Sequence, residues 1–149
     1  MIEGVRIETR KVIPHEKGDV MHMLRADEGL LKQFGEIYFS FVHPGFIKGW
    51  KKHEKQTQYF AVPVGNIKLV LYDTRVSSKT KGQFQEMELG RSNYRLVRIP
   101  PQIWYGFQAL GNESALIVNC TDIPHDPAES INLDITDQSI PYNWDLARR

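Results

Sequence analysis

The chain has 149 residues, the length of one ordinary domain and enough to bury a core without disulfides or structural zinc. Its 19 basic and 18 acidic side chains leave a net charge of +1, which removes any electrostatic reason to expect a nucleic-acid or anionic-membrane partner. The single cysteine, Cys120, excludes an internal disulfide, no apolar run approaches the roughly 20 residues of a membrane span, and no signal-like segment opens the chain, so the cytoplasm is the expected location.

Short alternating apolar runs punctuated by Gly and Pro predict strands over residues 5–13, 36–42, 45–50, 57–64, 67–73, 83–89, 94–99, 104–109 and 114–119. These are too many for one open sheet of this size, so a sandwich or barrel that closes its edges is expected. One short helix is expected over 26–34, with Asp27 and Glu28 near its N-terminus, plugging an end of the barrel. After Cys120 the chain turns rich in Pro and Asp and loses periodicity, which reads as a tail wrapped over a single domain spanning 1–149. In that tail, His125 and Asp126 read as a turn-anchoring pair.

The stretch "KGWKKHEKQTQYFAVPVG" at 48–65 carries the chemistry. Residues two apart on a strand share a face, so Lys51 and His53 point one way, as do Gln58, Phe60, Val62 and Val64 on the next strand, with Gly65 and Asn66 turning the chain. The frame resembles the first cupin motif, in which two closely spaced histidines and a glutamate bind a metal inside a barrel. Here those positions hold Lys51, His53 and Gln58, and the histidine of the second motif falls on Tyr105 in "IPPQIWYGF". An ammonium has no lone pair for a metal, and amide and phenol oxygens are poor replacements for imidazole and carboxylate. No metal and no cofactor are therefore expected.

The segment "LYDTRVSSKTKGQFQEMELGRSNYRLVRIPPQIWYGFQAL" resembles the dTDP-4-dehydrorhamnose 3,5-epimerase family, with its D-x-R-x-S-S-x-T-x-G run at Asp73 to Gly82 and its I-P-x-x-x-x-G-F strand at Ile99 to Phe107. "HEKGD", "GFIKGW" and "IPYNW" extend the similarity over nearly the whole chain. The resemblance implies an all-β fold, the RmlC-like cupin jelly-roll β-barrel, a homodimer, and nucleoside-diphosphate 4-keto sugars as small-molecule partners. It also implies a histidine base oriented by a carboxylate, a lysine at the enolate oxygen and a tyrosine acid. Those places fall here on Lys51, Gln58 and Val118, with the second active-site histidine at Tyr105 and the carboxylate at Asp137.

The usual double epimerisation is thus not expected by the usual route. One reading is a metal-independent epimerase or isomerase with a rearranged site: His53 as base, Tyr105 as acid, and Lys51 or Lys48 at the carbonyl oxygen or diphosphate, Lys48 standing where the family has a phosphate-binding arginine. A second is a non-catalytic sugar-nucleotide or glycan binder in which Trp50, Trp104, Tyr38 and Phe60 stack on the ligand, although barrel core is the commoner fate of such aromatics. A third is a structural subunit of an assembly.

Overall fold

The computed structural model describes residues 1–144. Two five-stranded antiparallel sheets face each other as a jelly roll. The first has the order β1 (Arg6–Thr9), β9 (Arg95–Ile99), β6 (Gln58–Val64), β11 (Ala115–Thr121), β4 (Glu36–Val42). The second runs β12 (Ser130–Asn132), β5 (Ile47–His53), β10 (Ile103–Leu110), β7 (Asn66–Asp73), β8 (Phe84–Gly90), and β2 (Val12–Ile13) pairs with β3 (Val20–Met21) as a separate ribbon. No helix among the described residues is long and apolar enough to cross a membrane.

Period-two alternation places Phe60 and Val62 of β6, Leu69 and Leu71 of β7, Tyr105 and Phe107 of β10, and Ile117 of β11 in one apolar layer between the sheets. A second layer lies outside the second sheet, where Ile140, Tyr142 and Trp144 of the C-terminal segment cover Trp50, Val70 and Trp104. The wrapped tail is therefore present, and it has its own core.

The D-x-R-x-S-S-x-T-x-G run is structural. Asp73, fully buried, accepts from the Arg75 guanidinium at 2.8 Å and from the hydroxyls of Ser78 (2.6 Å) and Thr80 (2.7 Å), and Arg75 also reaches the Glu3 carbonyl at 2.6 Å. Burial alone would raise the Asp73 carboxyl, but these donors outweigh it and hold the group well below the usual carboxylate range.

The helix expected over 26–34 shrinks to a 3-10 turn at Ala26–Glu28. Gly29 stops it in the left-handed region at φ 73°, and the chain then runs so that Leu30 packs on Tyr59, Leu96 and Cys120. Those residues belong to the outer face of the first sheet, so this segment covers a sheet and does not plug an end. The expected strand over 5–13 is likewise two short strands, and β3 and β12 had no period strong enough to mark them in the sequence.

Candidate active site

A cavity of about 370 Å³ lies between the sheets. The first sheet lines it with Tyr38 and Ser40 of β4, Phe60 of β6 and Asn119 of β11; the second contributes Lys48 and Lys51 of β5 and Tyr105 and Phe107 of β10. Lys48 and Lys51 are three apart, and a regular strand would send them to opposite faces. They share the cavity because β5 is bulged: Tyr105 pairs with Lys51 and Phe107 with Lys48, so two steps on β10 match three on β5. The bulge sits at Gly49, where an added Cβ would stand 2.8 Å from the Gly106 Cα, so only glycine lets the two strands approach this closely.

The same bulge turns Trp50 away from the cavity. Its ring is fully buried under the tail, 5.2 Å from that of Trp144, so the expected substrate-binding role for Trp50 is corrected to core packing, and Trp104 shares that layer.

His53 and Tyr105 come together as the sequence suggested, but in series. His53 is buried, its Nδ1 bonded to Glu129 Oε1 and its Nε2 3.1 Å from the Tyr105 hydroxyl. Tyr105 lines the cavity and His53 stands behind it. Glu129 is fixed through its other oxygen, which accepts the main-chain N–H groups of Lys55 and Gln56, each at 3.2 Å. Burial works to raise the Glu129 carboxyl, but the bonds from His53 and these amides outweigh it and keep the group below its usual range. Glu129 is thus an ionised acceptor, so Nδ1 of His53 carries a proton and donates it. Burial also lowers the His53 pKa, against the pull of Glu129, so the imidazole is neutral and its Nε2 accepts from the Tyr105 O–H. Burial pushes the Tyr105 phenol well above its ordinary value, with Tyr38 and Glu129 adding to the shift.

Asp137 is not the partner of His53. Its carboxylate accepts from Ser139 N at 2.9 Å and Ser139 Oγ at 2.5 Å, closing a turn of the tail. The partner, Glu129, sits three residues after Asp126, which caps a one-turn 3-10 helix at Pro127–Glu129 by accepting from Ala128 N. A capping Asp followed by Pro at the first helical position is a sequence-visible turn start that aims the third position, here Glu129, in a fixed direction. That signal was readable in "HDPAES".

Lys48 lies at the rim, its Nζ donating to Ser40 Oγ at 2.8 Å and to the Phe41 carbonyl at 3.1 Å, with its pKa lowered by burial and by neighbouring Lys51. Phe60 meets Tyr105 edge-on at 5.3 Å. On β11 the side chains turned to the cavity are Ile117 and Asn119, whereas Val118 between them does not line it. Gln58 lies one layer back, accepting from Asn119 Nδ2 at 2.7 Å and donating to Gln56 Oε1 at 2.6 Å. Sequence reasoning missed Asn119 and Gln56, because neither type stands out until the strands are in register. Among the described residues, no three His, Cys, Asp or Glu side chains gather as a metal site would require.

The jelly roll around this cavity agrees with what the chain is similar to. The family model for dTDP-4-dehydrorhamnose 3,5-epimerase matches residues 1–149. The spore coat polysaccharide biosynthesis protein SpsL of Bacillus subtilis is 34% identical over 153 aligned positions, covering 100% of both chains. The probable low-salt glycan biosynthesis epimerase Agl13 of Haloferax volcanii is 32% identical, covering 79% of this chain and 77% of its own. The crystal structure of a dTDP sugar isomerase from Desulfovibrio desulfuricans is 52% identical with a TM-score of 0.94, covering 96% of this chain and 92% of that one. Sheets, cavity and full-length similarity agree, and the chain belongs to the dTDP-4-dehydrorhamnose 3,5-epimerase family.

Proposed function

We propose that this protein is a metal-independent epimerase or isomerase that removes and returns a proton next to the ketone of a nucleoside-diphosphate sugar, with thymidine as the nucleoside class suggested by its family. The observation that carries the reading is the Glu129–His53–Tyr105 series, which ends on the cavity wall beside Lys51. As the C–H bond breaks, its electron pair forms the enolate C=C and its proton passes to the Tyr105 oxygen. The phenolic proton moves at the same time to His53 Nε2. The imidazolium so formed is balanced by Glu129, and the enolate oxygen by the Lys51 ammonium. Tyr105, whose pKa is held high, stays protonated before and after and acts as a conduit. His53 is the base one group removed. Lys48 faces the diphosphate, and Tyr38, on the opposing sheet, offers a second hydroxyl from which proton return would invert the carbon.

We also infer a homodimer, supported by the outer face of the edge strand β4, where Ile37, Phe39 and Phe41 are 52%, 66% and 59% exposed. The function is tested by incubating dTDP-4-keto sugars with the protein in D₂O. Deuterium entering the carbon next to the ketone is expected. Tight binding of the same sugars with no exchange would replace the enzyme by a non-catalytic binder.

A further inference from the structure

The wall opposite Tyr105 holds a chain of amides whose polarity is fixed at one end. The Ile123 carbonyl can only accept, so Gln56 must present Nε2 to it, at 2.6 Å. Gln56 Oε1 is then the acceptor for Gln58 Nε2 at 2.6 Å, and Gln58 Oε1 the acceptor for Asn119 Nδ2 at 2.7 Å. The second hydrogen of Asn119 Nδ2 goes to the Tyr38 hydroxyl oxygen at 2.5 Å. Flipping any one amide would set donor against donor or acceptor against acceptor, so each orientation follows from the first. The chain ends on Asn119, a residue only 3% exposed that lines the cavity, and its buried Oδ1 has no hydrogen-bond partner among the described residues.

We propose that Asn119 is a specificity-determining residue: its Oδ1 accepts a hydrogen bond from one hydroxyl of the sugar ring. The inference rests on the reading of the cavity as a nucleotide-sugar site. Lys48 and Lys51 line the same space with hydrogen-bond donors suited to phosphate and ketone oxygens, whereas Asn119 Oδ1 can be satisfied only by a group that donates. A keto oxygen or a phosphate placed there would leave two acceptors facing each other; a hydroxyl satisfies the wall. Because both hydrogens of the Asn119 amide are already engaged, the amide cannot turn over to welcome an acceptor without breaking its bonds to Tyr38 and Gln58. The protein thereby prefers a ring with its hydroxyl present at this position over one that is deoxygenated or oxidised there.

The test is calorimetric titration of the wild type and of Asn119→Leu with dTDP, with dTDP-glucose, and with the dTDP-glucose analogues that each lack one ring hydroxyl. In the wild type, one analogue is expected to bind about tenfold or more weaker than dTDP-glucose, the effect of one buried acceptor left unmatched. Asn119→Leu is expected to bind that analogue and dTDP-glucose equally, with its affinity for dTDP unchanged. Gln58→Met, which keeps Asn119 but frees its amide to rotate, is expected to shrink the preference without abolishing it, and it carries the test if the leucine variant does not fold. Equal binding of all analogues by the wild type, a preference that survives in Asn119→Leu, or one left undiminished in Gln58→Met, would overturn the role of Asn119. If the wild type binds neither dTDP nor dTDP-glucose, the nucleotide-sugar reading of the cavity itself fails.

Discussion

Tyr105 faces the cavity with its hydroxyl backed by a neutral imidazole and an ionised carboxylate, so removing one oxygen atom separates chemistry from binding. Tyr105→Phe keeps the ring against Phe60 and is expected to lower the rate of solvent exchange by about 100- to 10,000-fold, with KM within a few-fold of the wild type. An unchanged exchange rate would exclude the relay. The acid side of the pH profile belongs to His53 as well. Its pKa is lower in the folded protein than in the unfolded chain, where it is about 6.5, so the unfolded chain takes up a proton that the native protein refuses. The stability linked to His53 is thus complete above about pH 6.5 and is lost as the pH falls through the native value. Melting curves between about pH 7.5 and 5.5 are expected to show a wild-type decline that is flatter in His53→Phe. A steeper decline in the variant would contradict the sign. Glu129 follows the same direction at lower pH, its folded pKa being held down by His53 and two main-chain amides against the opposing effect of burial.

The strands that place these groups were legible in the sequence because alternation survives in β7 and β10, whose inner faces carry Ile67, Leu69 and Leu71 and Ile103, Tyr105, Phe107 and Ala109, and in β4, where the apolar Ile37, Phe39 and Phe41 form the outer face. The bulge in β5 was not legible. Alternation read from His53 puts Lys51 on its face and Trp50 on the other, but it could not reveal that Lys48 rejoins the cavity face, because an inserted residue shifts phase without leaving a residue-type signature apart from the glycine. Replacing that glycine is therefore a test of the element. Gly49→Ala sets a Cβ 2.8 Å from the Gly106 Cα, and is expected to destabilise the fold by about 1–3 kcal/mol and to impair catalysis further by displacing Lys48 and Lys51. Urea unfolding alongside exchange kinetics checks both; a fully active, equally stable variant would show that the bulge does not position the lysines. The carboxylate was misplaced for a similar reason. Asp137 lay near the expected place in a tail without periodicity, whereas Glu129 is delivered by a single capped turn.

At the scale of the molecule, the tail and the second sheet enclose one aromatic layer, the two sheets enclose the other, and β4 leaves an apolar outer face beside Leu116 and Val118 of β11. Family resemblance made the jelly roll legible because its motifs are mostly turn and packing residues such as Asp73, Arg75 and Gly82, and such residues say little about the site. Phe39→Glu with Phe41→Glu is expected to convert a dimer to a monomer in sedimentation equilibrium, and a wild type that sediments as a monomer would remove the inferred interface. The central claim, that Tyr105 is the group the substrate meets, is tested most directly by a crystal structure of the protein with a dTDP-4-keto sugar. The expected result is a ring carbon next to the ketone about 3–3.5 Å from the Tyr105 hydroxyl, with the ketone oxygen toward Lys51. A sugar ring held away from Tyr105, with His53 and Glu129 still buried behind an uncontacted phenol, would contradict it.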